Sequence, residues 1–138
     1  MSFKSENILS LIGADFSGNS DHDLRSVFTK ILNEGTHGIC FSPYLEGQEP
    51  GSIISEEQIR KRLEIIRPYT NWVRIFSCTE GNELIPRIAK ELGFNTLVGA
   101  WLGEDEEINE AEIAGQIQVG RAGYADLAAV GNEVLLFY

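Results

Sequence analysis

The sequence predicts an α/β fold of parallel strands joined by helices, on three observations. Short apolar and β-branched runs begin near residues 37, 72, 96 and 127, each bounded by turn-forming residues. Between them lie segments whose apolar residues recur every three or four positions, the spacing of a helix with one buried face. The strand runs are nearly continuous in apolar character, as in a parallel sheet covered by helices. Strands alternating with helices in this way pair with their neighbours through crossovers.

Residues 1–36 read as an N-terminal extension carrying one amphipathic helix. Leu24, Val27, Phe28, Ile31 and Leu32 share a face, Asp21 or Asp23 caps the start, and Gly35 is the stop. Residues 37–138 hold the repeating units. The first strand is the run 37–42, between Gly35 and Pro43, and a loop rich in glycine and proline follows it. Ser55 and Gln58 then form a capping box, in which the hydroxyl accepts from the amide three residues on and Gln58 reaches back. Ile59, Leu63 and Ile66 give that helix its apolar face, and Pro68 ends it.

The second unit starts with the strand 72–76. Its helix follows Gly81 and Asn82, with Leu84, Ile85, Ile88, Ala89 and Leu92 as the stripe and Gly93 as a left-handed stop. The third strand is 96–101. The acidic stretch 104–107 belongs to a loop and first helical turn, where carboxylates complement the helix dipole. Asn109 with Glu112 is the expected cap, ahead of Ile113, Ile117 and Gly120. The fourth strand is 127–132.

Composition narrows the function. The chain has 138 residues, enough for one domain with a real core, and a hydrophobic fraction of 43%, which argues against disorder. With 21 acidic against 11 basic side chains it has a net charge of −10, so neither nucleic acid nor an anionic membrane is an expected partner. Cys40 and Cys78 lack the spacing of a zinc site and read as buried apolar thiols. His22 and His37 have no spaced second ligand, so no metal and no cofactor are expected. The first residues lack the apolar core of a secretory signal, which points to the cytoplasm.

Two architectures share this pattern. Units spaced about 25 to 35 residues apart suit a small open α/β sheet, and equally one half of a (β/α)8 TIM barrel, which needs eight such units. Four strand-end segments favour the barrel half. They are residues 37–44 with Glu46, Gly47 and Gln48; residues 72–78; residues 97–103; and residues 129–135. In order, these resemble the N-terminal half of bacterial glycoside hydrolase family 17 proteins, related to β-1,3-glucanases of plants and fungi. The similarity spans residues 35 to 136.

The resemblance implies a (β/α)8 barrel that hydrolyses O-glycosyl bonds of β-linked glucans with retention. It assigns Glu133 as general acid/base and Asn132 as a contact to a sugar hydroxyl, both at the end of the fourth strand. Arg74 on the second strand would support the ionisation of the nucleophile, and Tyr44 and Trp101 would face the substrate. Relatives often act on cell-wall or extracellular glucans. In the family the nucleophile comes from a seventh strand, which the resemblance does not reach. The expectation is therefore a truncated or half-barrel form that carries the acid/base but not the nucleophile strand. A non-catalytic carbohydrate-binding or scaffold half-barrel is the alternative. Because a half-barrel leaves two unpaired edges, a homodimer through those edges is also expected.

Overall fold

A computed structural model describes residues 16–132, and Glu133 lies outside them. The chain divides into two units between Glu34 and Gly35. In the first, helix α1 runs Asp21–Glu34. Its cap is Ser20, one residue ahead of the expected pair. The Ser20 hydroxyl accepts from the Asp23 amide at 3.3 Å, and Asp23 Oδ2 accepts from the Ser20 amide at 3.1 Å. Asp23 thus closes a capping box from its third position and does not cap the helix itself.

The second unit is built on one parallel sheet whose strands lie in chain order. Strand β1 is Ile39–Cys40, β2 is Trp72–Ile75, β3 is Asn95–Ala100 and β4 is Leu127–Val130. Helices α2 (Glu56–Ile66), α3 (Ile85–Glu91) and α4 (Glu106–Arg121) fall between them. Every strand is shorter at its C-terminal end than the apolar runs suggested. The leftover residues, such as Phe41, Phe76 and Trp101, become the rim of the sheet. Pro68 does not end the second helix abruptly: the chain tightens into a 3-10 turn over Arg67–Tyr69.

Register divides the side chains into two faces. Val73, Ile75, Thr96 and Val98 are buried, and Val73, Ile75 and Val98 cluster with Ile59 and Leu63 of α2, Ile85, Ile88 and Ala89 of α3, and Val119 of α4. This is the helix-covered face. Cys40, Arg74, Leu97 and Leu127 stand in one row on the other face, since each is paired with the next across the ladder. Cys40 is consequently exposed, which corrects the expectation of two buried thiols; Cys78 is buried as expected. Trp72 shares the uncovered face and stacks on His37, with ring centroids 6.2 Å apart.

Helix ends are held by specific side chains. Ser55 accepts from the Gln58 amide at 3.2 Å, but Gln58 does not reach back to complete the box. Its amide instead donates to Pro43 O at 2.8 Å and Gln48 Oε1 at 2.6 Å, which pins the loop after β1. Gly93 takes φ +80° after α3, a conformation that an L side chain rarely adopts. Across the helix layer, Arg60 pairs with Glu91, and Arg87 reaches Glu56 at 2.5 Å and Glu91 at 2.7 Å.

The fourth helix departs most from its sequence pattern. Asp105 caps it, accepting from the amides of Glu107 and Ile108, while Asn109 bonds the main chain of Gly103 in both directions at 2.8 Å. Its buried residues are Glu112, Gln116 and Val119; the expected Ile117 is exposed. The polar pair faces inward because it satisfies main-chain groups there. Gln116 Nε2 donates to Val98 O and Ala129 O, both at 2.8 Å, and so ties β3 to β4.

Candidate functional site

A cleft of about 660 Å³ opens beyond the C-terminal ends of β1, β2 and β3. Its walls include Phe41, Tyr44, Phe76 and Trp101, with Glu80 and Glu112 as the carboxylates among its lining residues. Tyr44 comes from the loop after β1. It packs against the core, and its hydroxyl accepts from Asn82 Nδ2 at 3.2 Å. Trp101 follows β3 directly and remains 43% exposed, so its ring is open to a ligand. Two aromatic residues singled out from separate strand ends therefore line one space.

Glu112 organises this end of the sheet, and sequence reasoning missed that role. It is only 2% exposed, yet Oε1 accepts from Ser77 Oγ at 2.5 Å and Thr79 Oγ1 at 2.6 Å. Oε2 accepts from the Cys78 amide at 2.7 Å and the Trp101 amide at 3.2 Å. Four converging donors satisfy a carboxylate that burial would otherwise penalise heavily. One side chain on α4 thereby fixes the turn after β2 and the start of the segment after β3. The spacing of Glu112, Gln116 and Val119, four and then three residues, is a helical stripe that the isoleucines nearby concealed.

Cys78 sits beside this carboxylate. Burial pushes its thiol up to about 12, and the neighbouring charges of Glu112 and Glu83 push in the same direction. A thiol held protonated in this way is not a nucleophile at neutral pH.

Arg74 and Asn132 also come together, on the uncovered face of the sheet. Arg74 donates from one terminal nitrogen to Asn132 Oδ1 at 3.0 Å, spanning β2 to the end of β4. Its guanidinium lies 4.6 Å from the centroid of the Phe76 ring, and Phe76 is also a wall of the cleft. Its Nε is buried without a hydrogen-bond partner among the described residues. Among the described residues Arg74 forms no ion pair with a carboxylate. A smaller hollow of about 330 Å³ beside Arg74 is lined by His37, Cys40, Trp72, Leu97 and Leu127 among others.

Among the described residues no group of three or more His, Cys, Asp and Glu is placed to hold a metal ion, and no helix is long and apolar enough to cross a membrane. Compared with protein families, curated proteins and solved structures, the chain matches none.

Proposed function

We propose that this chain is a half-barrel of the retaining β-1,3-glucan hydrolase type, which holds a glucan in the cleft between Tyr44 and Trp101. The observation that carries the reading is that both aromatics, named from different strand ends by the family resemblance, line the same open cleft. A pyranose ring presents C–H groups on its flat face, and an exposed indole is a suitable surface for them. In this reading Glu133 protonates the glycosidic oxygen, Asn132 contacts a sugar hydroxyl, and Arg74 supports a carboxylate. The contact between Arg74 and Asn132 is in keeping with those last two roles.

Retention requires a second carboxylate about 5 to 5.5 Å from the acid/base. Glu112 lines the cleft, but both its oxygens are already engaged by four donors, so it is not available as a nucleophile. That engagement favours a second reading, in which the cleft binds glucan without turning it over. Hydrolysis then needs a carboxylate supplied from outside the described residues.

The test combines binding with turnover. Affinity for a linear β-1,3-glucan is measured by calorimetry, and reducing-sugar release is followed for the parent chain and Glu133→Gln. Trp101→Ala is expected to weaken binding by roughly tenfold, the loss of one ring contact. Turnover abolished by Glu133→Gln selects the hydrolase; binding without turnover selects the second reading. No affinity for the glucan in any variant overturns both.

A further inference from the structure

We infer that the cleft beyond β1, β2 and β3 prefers a β-linked oligosaccharide carrying a protonated amino group over its neutral counterpart, and that Glu80 sets this preference. The preference rests on the cleft being a saccharide site and adds the chemistry of the sugar it takes.

The polar side chains at the end of β2 are almost all engaged within the protein. Ser77 and Thr79 donate their hydroxyl protons to Glu112, whose other oxygen takes the amides of Cys78 and Trp101. Asn82 uses both amide hydrogens, one on Thr79 O and one on the Tyr44 hydroxyl oxygen, each at 3.2 Å. A carbonyl oxygen can only accept, so the bond to Thr79 fixes Asn82 as donor and leaves the Tyr44 proton free for a ligand. Glu80 stands apart from this network. It is exposed, it lines the cleft, and among the described residues it has neither a hydrogen bond nor an ion pair.

Nothing nearby neutralises that carboxylate. Among the described residues lining the cleft there is no Lys, Arg or His. Arg74, which stacks on Phe76, lines the smaller hollow instead. The cleft therefore combines aromatic walls with one unpaired negative charge, in a chain whose net charge is −10. The face of an aromatic ring attracts a cation, an indole most strongly, and Trp101 is the exposed ring here. A neutral sugar engages the ring and the Tyr44 proton but leaves Glu80 unanswered. An ammonium group on the same sugar answers both the ring and the carboxylate, and the field of the whole chain draws it in.

The backbone shows that Glu80 is not there to suit its turn. The Asn82 amide donates to Thr79 O at 2.9 Å, and the two residues between them have φ of +55° at Glu80 and +89° at Gly81. Positive φ at both central positions is the pattern of a type I′ turn, which favours Asn, Asp or Gly at the first of them. A glutamate there is strained, and its longer side chain carries the carboxylate across to the loop after β1. A Cβ built at Gly51 would lie 3.9 Å from Glu80 Oε1. The charge thus sits between the two loops that frame the cleft.

The experiment is calorimetry with three β-1,3-linked trisaccharides built of glucose, glucosamine or N-acetylglucosamine, under mildly acidic conditions that keep the amine protonated. The parent chain is expected to bind the glucosamine form roughly tenfold more tightly than the glucose form. The N-acetylated form, which has lost the charge, is expected to gain nothing, and added salt should shrink the preference. Glu80→Gln and Glu80→Asn are each expected to bring the ratio of glucosamine to glucose affinity close to unity. Glu80→Asn supplies a residue the turn favours, so it is expected to melt no lower than the parent. Equal affinity of the parent for all three sugars overturns the inference and leaves the glucan reading standing. A preference that survives both substitutions also overturns it, because the charge then lies elsewhere. No affinity for any of the three overturns the saccharide reading and this inference together.

Discussion

Glu112 accepts from two main-chain amides and two hydroxyls, so truncating it strands four donors together. Each buried donor left unsatisfied costs about 1 to 3 kcal/mol, and the two amides cannot rotate toward water as hydroxyls can. Glu112→Ala is therefore expected to lower stability by about 3 kcal/mol or more in urea denaturation. Glu112→Gln keeps one acceptor oxygen and is expected to lose less; equal losses would show that the hydrogen bonds are not what matters. Tyr44 and Trp101 were singled out by the family resemblance, and both line the cleft. Glu112 was not readable in the same way. An acid three residues after Asn109 reads as a cap, and only tertiary structure shows that Asp105 already fills that position.

At the scale of the element, α4 shows how one substitution changes sign with its surroundings. A Cβ built at Gly115 would lie 2.4 Å from the carbonyl oxygen of Cys78, which is main chain and cannot swing aside. At Gly120 the same Cβ meets nothing within 4 Å. Gly115→Ala must push the helix off the sheet and is expected to cost about 1 to 3 kcal/mol. Gly120→Ala is expected to stabilise by about 0.5 to 1 kcal/mol through helix propensity. Thermal melts of the two variants check the opposite signs, and a shift in the same direction would refute the close approach at Gly115. Periodicity identified α2 and α3 well because their inward stripes are apolar: Ile59 and Leu63, then Ile85, Ile88 and Ala89. It misjudged α4 because the inward stripe there is polar and two isoleucines on other faces imitate a core.

For the whole molecule, ionisation bounds stability from both sides. Asp126 is held below the usual carboxylate range, first by its hydrogen bond with Lys90 and then by the Thr96 amide. Glu91 is held low by Arg60 and Arg87. Groups depressed in the folded state contribute stability above their unfolded values, near pH 4, and lose it as the pH falls through the folded ones. Cys78 acts in the opposite sense. Its folded value is raised to about 12, so its contribution is intact below the unfolded thiol value of about 8.5 and is lost as the pH rises toward 12. Urea midpoints against pH are expected to fall at both ends, and Cys78→Ala should flatten the alkaline side alone. The four-unit α/β order was plain from the sequence. Whether such a sheet stands open or closes was not, because Leu127 and Val130 look the same in the sequence whether or not something covers them.

The strict chain order of the sheet bears on how the molecule is made. Each strand after β1 pairs with the strand immediately before it in the chain, so no pairing waits for a distant segment. The closures are all of similar, moderate length, and the entropy of each differs little from the next. As the chain leaves the ribosome, β1 is available when β2 arrives, and the pair forms a template for β3, then β4. Assembly is in this sense vectorial: the sheet grows by one strand at a time along a single edge, and the growing edge is always the most recently synthesised strand.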